Sequence, residues 1–285
     1  MKALKLIECP RDAMQGLHDF IPTQVKIDYI NNLLKCGFDT IDFGSFVSPK
    51  AIPQMRDTAD VLKGLELTNA TKLLAIIANE RGAQDACNFE EINYLGFPFS
   101  VSETFQQRNT NSSIADSLRS VDAIQNLALK NNKELVVYLS MGFGNPYGDE
   151  WNADIVINWS ELLYEKLGIK IQALSDTIGV ASTESIDYIF KELIPSLPKV
   201  EFGAHLHTIP ENAKVIVEAA YNGGCRRFDG AIKGFGGCPM ATDDLTGNMP
   251  TELMLEWFNS NQIDTFVNQQ SFDVAYRNAI NVFPK

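Results

Sequence analysis

The stretch Val200-Glu201-Phe202-Gly203-Ala204-His205-Leu206-His207 reads as a strand ending in His-x-His. Alternate residues of a strand share a face, so His205 and His207 aim at one spot. The chain has 3 His in all, and two of them sit here. Two adjacent imidazoles pack poorly in an apolar core but make half of a metal site. The plainer alternative is a hydrogen-bonded His pair at a strand end, and the rest of the chain decides between the two.

On either side of this strand, short apolar runs alternate with amphipathic stretches. The strand-like runs are Ala3–Cys9, Phe38–Phe43, Thr71–Ala78, Ile92–Phe97, Glu134–Met141, Ile171–Leu174, Val200–His207 and Cys225–Ile232. They are rich in Val, Ile, Leu, Phe and Tyr, as expected of parallel strands covered on both faces. Helical spacing is clearest in Thr23–Cys36, with Gly37 placed to end it, and in Ile114–Lys130. Thr183 to Leu193 and Glu211 to Tyr221 read the same way. Eight such runs alternating with helices predict a (β/α)8 TIM barrel, as one domain over residues 1–285. An open doubly wound sheet fits less well, because no Gly-x-Gly-x-x-Gly turn follows the first run. Helical patterns around Thr251–Phe258 and Phe272–Ile280 predict a C-terminal helical extension packed on the barrel.

Composition narrows the class of function. The 285 residues are 45% hydrophobic and 21% charged, an ordinary globular profile. A net charge of -12 without a basic stripe argues against nucleic acid as a partner. The 5 Cys are odd in number and none has Cys-x-x-Cys spacing, which points to a reducing compartment rather than a disulfide scaffold. No apolar run is long enough to span a bilayer and no signal-peptide core follows Met1. A cytoplasmic enzyme, not membrane-bound and assembled as a homodimer, is the expectation.

In a barrel of this kind the active site lies at the strand C-termini. Arg11 and Asp12 follow the first run, Asp42 ends the second, Asp176 and Thr177 follow the sixth, and the His pair ends the seventh. Lys233-Gly234-Phe235-Gly236-Gly237-Cys238-Pro239 follows the eighth. Asp12, His205 and His207 supply one hard carboxylate and two imidazoles, a set suited to Mg²⁺, Mn²⁺ or Zn²⁺ with positions left for substrate oxygens. Arg11 is either a salt-bridge partner or the group that stabilises a developing enolate. Asp42 is a hydrogen-bonding partner at the mouth or an orienter of Arg11. Cys238, among glycines, is an inert thiol or a mobile acid/base. Asn248 is a helix cap or offers its carbonyl oxygen to the metal. Cys9, Cys36 and Cys225 read as buried thiols, and His18 has no assigned role.

Several segments together resemble hydroxymethylglutaryl-CoA lyase, of the metal-dependent lyase barrels that include isopropylmalate synthases. They are Arg11-Asp12-Ala13-Met14-Gln15, Ser45-Phe46-Val47-Ser48-Pro49-Lys50, Ser102-Glu103-Thr104-Phe105, Ser175-Asp176-Thr177-Ile178-Gly179, His205-x-His207, and Gly236-Gly237-Cys238-Pro239 through Gly247-Asn248. They run in the family's order over nearly the whole chain. The resemblance implies metal ligation by Asp12, His205 and His207, with Asn248 close to the metal. It also implies that Arg11 polarises the thioester carbonyl, that Cys238 shuttles a proton, and that Asp42 stands where the family has a catalytic Glu. The implied reaction is a retro-Claisen cleavage of a 3-hydroxyacyl-CoA to acetyl-CoA and a keto acid, acetoacetate if the substrate is hydroxymethylglutaryl-CoA. Ser48, Lys50 and Arg108 are candidate contacts for the CoA phosphates. Besides Asp42, the chain departs from the pattern where Ala13-Met14 replaces Gly-Leu, Thr208 an Asp, Val136 an Arg and Ala173 a Ser. The metal set is thus kept and the substrate-reading shell altered. Two other functions fit the same residues: an aldolase or Claisen synthase on another hydroxy-keto acid, and a non-catalytic barrel binding metal or acyl-CoA.

Overall fold

The computed structural model describes residues 3–68, 70–237 and 246–283. Eight strands close into a barrel in sequence order: β1 (Lys5–Glu8), β2 (Thr40–Ser45), β3 (Lys72–Ile76), β4 (Ile92–Ser100), β5 (Glu134–Ser140), β6 (Ile171–Asp176), β7 (Glu201–Leu206) and β8 (Arg227–Gly230). Every pairing is parallel, and β1 pairs with both β2 and β8. Every position of β2, β6 and β8 is buried, which is why these segments carry no in–out alternation in the sequence. β2 runs past Asp42 to Ser45, with a register shift against β3 between Asp42 and Gly44.

The helices are α1 (Pro10–Gln15), α2 (Thr23–Leu34), α3 (Thr58–Lys63), α4 (Glu80–Cys87), α5 (Glu103–Thr110), α6 (Ile114–Lys130), α7 (Ala153–Leu167), α8 (Thr183–Ser196), α9 (Ala213–Asn222), α10 (Thr251–Ser260) and α11 (Gln269–Asn278). α6 matches its sequence reading at both ends. Its start is fixed by Ser113, whose side chain accepts the Asp116 amide. α1 is a single short helix that the apolar pattern did not show. Pro10 opens it, in the one helical position where a missing N–H costs nothing. α2 stops at a Lys35 cap, short of Gly37. Gly37 instead admits a close approach of distant backbone. Its φ is +87°, and a Cβ there would lie 2.8 Å from the Phe266 carbonyl oxygen.

The C-terminal helices complete the ring. α10 packs on α9 and α11 on α2, so together they fill the gap between the last and first helices of the barrel. The Asn268 amide donates to the Cys36 carbonyl at 2.7 Å, and Phe283 meets Tyr29 edge-on at 5.7 Å.

One buried carboxyl ties this closure together. Glu8 accepts from the Ile232 amide at 2.8 Å and from the Thr251 hydroxyl at 2.6 Å, joining β1 to both ends of the segment between β8 and α10. Burial pushes its pKa up from 4.5 to about 8, and Glu252 adds to the rise. The other groups facing it, Tyr29 and Cys36, are raised chiefly by burial and stay neutral. Between pH 4.5 and about 8 the folded state therefore binds more protons than the unfolded state, and stability falls as pH rises through that window. Gln keeps the neutral shape without the proton. Glu8→Gln is expected to remove up to about 1.4 kcal/mol per pH unit of that decline. Urea unfolding at about pH 5, 6.5 and 8 checks this; a variant whose slope equals the parent's would place the decline elsewhere.

Candidate active site at the barrel mouth

Closure of β8 onto β1 brings residues from the two ends of the chain together. Asp12 lies in α1, directly after β1, while His205 is on β7 and His207 just beyond it. The ligand atoms of these three all lie within 4.8 Å of one another, and each residue is buried. The two imidazole centroids are 5.4 Å apart, and His205 Nε2 is 3.7 Å from Asp12 Oδ2. On its other side, His205 Nδ1 meets Asp229 Oδ2 at 3.1 Å. That hydrogen bond assigns the ring proton to Nδ1 and turns the Nε2 lone pair toward Asp12.

The electrostatics suit a cation. Burial and the neighbouring His205 press the His207 pKa down to about 4, so this ring is neutral at pH 7. Neither of its nitrogens makes a hydrogen bond of normal geometry, although the Thr177 backbone exerts a weak pull. An unpaired, buried, neutral imidazole is costly unless a Lewis acid takes its lone pair. Burial works against charge on His205, but its hydrogen bond to Asp229 and the charges of Asp229 and Asp12 raise its pKa. Burial likewise opposes ionisation of Asp12, yet Arg11 and the two imidazoles together hold its pKa below the usual carboxylate value. One ionised carboxylate and two imidazoles fit a divalent cation.

Arg11 is locked in place. Its Nε donates to Asp42 at 3.2 and 3.0 Å and its Nη2 donates to Asp42 Oδ2 at 2.5 Å. Its Nη1 donates to Asp12 at 3.1 Å and to Gln15 at 3.0 Å, and Gln15 donates in turn to Asp12 at 2.6 Å. Burial disfavours the guanidinium charge, but Asp42 and Asp12 outweigh it and keep Arg11 protonated. Asp42 shows the cost: burial raises its pKa to about 6 in spite of Arg11. A fixed fork beside the ligand set can stabilise an oxyanion that forms there.

Asn248 joins this group. It pairs with His207 in an isolated bridge, its Nδ2 donates to the Phe235 carbonyl at 2.9 Å, and its amide bears on Asp12. It does not cap α10, whose N-cap is Pro250. Gly236 allows the approach: at φ +96°, a Cβ would stand 2.6 Å from Asn248 Nδ2 and 2.8 Å from the Asp12 carbonyl oxygen. Cys238 lies outside the described residues. Thr208, where an Asp was expected, turns its hydroxyl to the Ile209 carbonyl and supports neither imidazole. Ser48, Lys50 and Arg108 are exposed and apart from the ligand set, beside the pocket residues Val47 and Asn109. Arg108 lies over the Tyr147 ring at 4.7 Å.

Three residues at the site were not singled out in the sequence. Asp229 orients His205, and its period-two spacing from Arg227 on a strand was the available signal. Cys9, read as an ordinary buried thiol, sits with His205 and Asp229 as a second set of potential ligand atoms within 4.8 Å. Burial, and then Asp229, Asp42 and Asp12, push its thiol pKa well up, so it is protonated here. Tyr138 stands edge-on to His205 at 5.3 Å. Above these residues is a cavity of about 820 Å³, part of it open to solvent, lined by Arg11, Asp12, His205 and His207 on one side. Among the described residues no helix is long and apolar enough to cross a membrane.

Comparison with known proteins agrees with this geometry. The model of the HMGL-like family matches residues 4–277. Hydroxymethylglutaryl-CoA lyase YngG of Bacillus subtilis is 35% identical over 258 residues, covering 90% of this chain and 85% of that protein. The mitochondrial hydroxymethylglutaryl-CoA lyase of Mus musculus is 31% identical, covering 94% and 82%. A crystal structure of the Bacillus subtilis HMG-CoA lyase superposes with a TM-score of 0.91 at 32% identity, over 98% of this chain and 93% of the other. An HMG-CoA lyase from Acinetobacter baumannii, in complex with coenzyme A and 3-methylmalate, also gives 0.91 at 31% identity, over 98% and 91%.

The orphaned ring supplies a direct test. His207→Ala is expected to weaken Mn²⁺ binding about a hundredfold in calorimetry, with the far-ultraviolet circular dichroism of the parent. Undiminished Mn²⁺ affinity would remove His207 from the ligand set.

Proposed function

The chain belongs to the HMGL-like family and is a carbon–carbon lyase, and on that premise we propose that it cleaves a 3-hydroxyacyl-CoA by a retro-Claisen reaction at the mouth of its barrel. In that reaction the 3-hydroxyl loses its proton and the C2–C3 bond breaks. The bond's electron pair passes into the enolate of acetyl-CoA, and C2 then takes up a proton. The second product is the carbonyl compound formed at C3, a keto acid where the substrate carries a carboxylate as hydroxymethylglutaryl-CoA does. The observation that carries this reading is the convergence of Asp12, His205 and His207 beside an arginine fixed by Asp42.

Asp12, His205 and His207, with Asn248 alongside, would hold Mg²⁺ or Mn²⁺. Such an ion, when bound, acidifies a coordinated hydroxyl and polarises a coordinated carbonyl. Arg11 presents its charge to the enolate oxygen, and the Asp42 carboxylate keeps that guanidinium from swinging away. Asp229 keeps the His205 proton on Nδ1, so Nε2 stays available at the ligand set. Cys238 is the proposed proton donor to C2. Ser48, Lys50 and Arg108 are proposed to meet the CoA phosphates, which their exposed place beside the pocket supports. The bound coenzyme A in the Acinetobacter baumannii relative supports an acyl-CoA substrate.

Acetyl-CoA release from hydroxymethylglutaryl-CoA and a panel of other 3-hydroxyacyl-CoAs, in Mg²⁺ or Mn²⁺, tests the reading. Turnover of at least one thioester is expected; turnover confined to CoA-free hydroxy-keto acids would replace the lyase by an aldolase. Cys238→Ala is expected to lower kcat by about a hundredfold or more with Mn²⁺ affinity retained, and an unchanged kcat would return that thiol to an inert role.

A further inference from the structure

His205 has two faces. Its Nε2 turns to Asp12 and the outer ligand set, and its Nδ1 turns to Asp229. Around the second face stands a group in which Cys9 has no part in the cleavage. Cys9 follows β1 directly, and Asp229 lies on β8, the strand paired with β1. The ligand atoms of Cys9, His205 and Asp229 all lie within 4.8 Å of one another. Two further polar atoms point to a ligand there. Asp229 Oδ1 has no hydrogen-bond partner and neither has the Tyr138 hydroxyl, although both residues are more than nine-tenths buried. Burial, then Asp229, Cys9 and Asp42, raise the Tyr138 pKa, which places its hydroxyl near the same groups. Buried polar atoms left unpaired are costly unless something binds them.

The spacing fits a tetrahedral ion. Such an ion holds one nitrogen and one oxygen ligand about 3.3 Å apart. His205 Nδ1 and Asp229 Oδ2 are 3.1 Å apart, so an ion can replace the proton between them with little movement. Cys9 supplies the third donor, and the Tyr138 hydroxyl or a water the fourth. The charges also fit. Asp229, Asp42 and Asp12 act on Cys9 against Arg11, and Arg227 adds a second guanidinium near Asp229. Glu201, which accepts from Arg227, is itself paired with Lys5. Three carboxylates against two guanidiniums leave one net negative charge, and a Cys9 thiolate makes it two. A divalent cation balances that charge. The donors differ in kind from the outer set. Asp12 and two imidazoles offer only oxygen and nitrogen, whereas a thiolate is soft and favours Zn²⁺ or Cd²⁺ over Mg²⁺ and Mn²⁺. The cavity at the mouth reaches both His205 and Tyr138, which gives an ion its way in.

We propose that Cys9, His205 and Asp229 form a second cation site, on the Nδ1 face of His205, which takes a thiophilic divalent ion of the Zn²⁺ class. The site has its own donors and stands whether or not the lyase reading holds. On binding, the Cys9 S–H bond breaks, its proton passes to solvent and a sulfur–metal bond forms. The ring proton of His205 leaves Nδ1 through solvent and is regained at Nε2. No electron is transferred, and no further reactant is needed. A proton on Nε2 withdraws His205 from Asp12 and His207, so the two sites exclude one another. A thiophilic ion on this face therefore opposes loading of the outer site with Mn²⁺.

The test uses the full chain carrying Cys87→Ser and Cys238→Ser, which removes the half-buried thiol of α4 and the thiol of the glycine-rich loop. Cd²⁺ is the probe, because a thiolate bound to it absorbs in the ultraviolet by charge transfer. The band is expected in this protein and is expected to vanish when Cys9→Ser is added, with the circular dichroism of the parent. As the band grows, bound Mn²⁺ should be released, read by the electron paramagnetic resonance of the free ion. The Cys9→Ser protein should need about tenfold more Cd²⁺ for the same release. Absence of the band, a band that survives Cys9→Ser, or an equal Cd²⁺ requirement would overturn the proposal. Should Cys9→Ser not fold, anomalous diffraction from Cd²⁺-soaked crystals of the parent decides. An ion among Cys9, His205 and Asp229 is expected there, and cadmium at other positions only would remove the site.

Discussion

The pairing of β8 with β1 is the contact on which the site depends. Lys5 to Glu8 run beside Arg227 to Gly230, so the first strand and the last become neighbours. Without that pairing Asp12 and Asp42 would have no reason to meet His205, His207 and Asp229, which come from far along the chain. The closure is held from both sides. Inside the barrel, Asp12 faces the imidazoles; outside it, Glu8 holds the start of the segment after β8 and the first residue of α10. The same few residues of β1 and α1 therefore serve stability and chemistry, and a shift of β1 would disturb both.

Around that closure the barrel concentrates charge on one side. Asp12, Asp42 and Asp229 are each almost wholly buried, and with Arg11 and His205 they form a network in which each group is oriented by the next. Burying such charges is costly, and the cost shows in the Asp42 carboxyl, raised to about 6 even beside a guanidinium. A network under that strain is better suited to a reacting centre than to stability alone. Elsewhere the interior is mostly apolar, although the Tyr138 hydroxyl is buried there without a hydrogen-bond partner. Leu74, Ile76, Val136, Tyr138, Ile171 and Ala173 fill it with hydrocarbon and ring.

Some of this arrangement was legible in the residues. The barrel was, because doubly covered strands must be apolar throughout and β8 reads so on either side of its polar residues. α6 was, to the residue, because Ser113 and the apolar stripe mark it unambiguously. α1 was not, since one and a half turns are too few for a periodicity to appear, and Gly37 was read as a helix stop when its constraint comes from the distant Phe266 carbonyl. Asn248 by itself read either as a cap or as a neighbour of the metal, and the bridge to His207, with Pro250 as the cap of α10, separates the two.

The sequence by itself determined the fold class, the family and the set of residues with the chemistry to hold a divalent cation. These follow from local pattern and residue type, which the chain carries at every point. Only the tertiary structure decided that Asp229 fixes the His205 tautomer, that Cys9 lies among the acidic groups, and that Asp42, Asp12 and Gln15 hold Arg11 in place. Each of these depends on which side chains meet across the barrel, a distance in space that spacing along the chain does not encode.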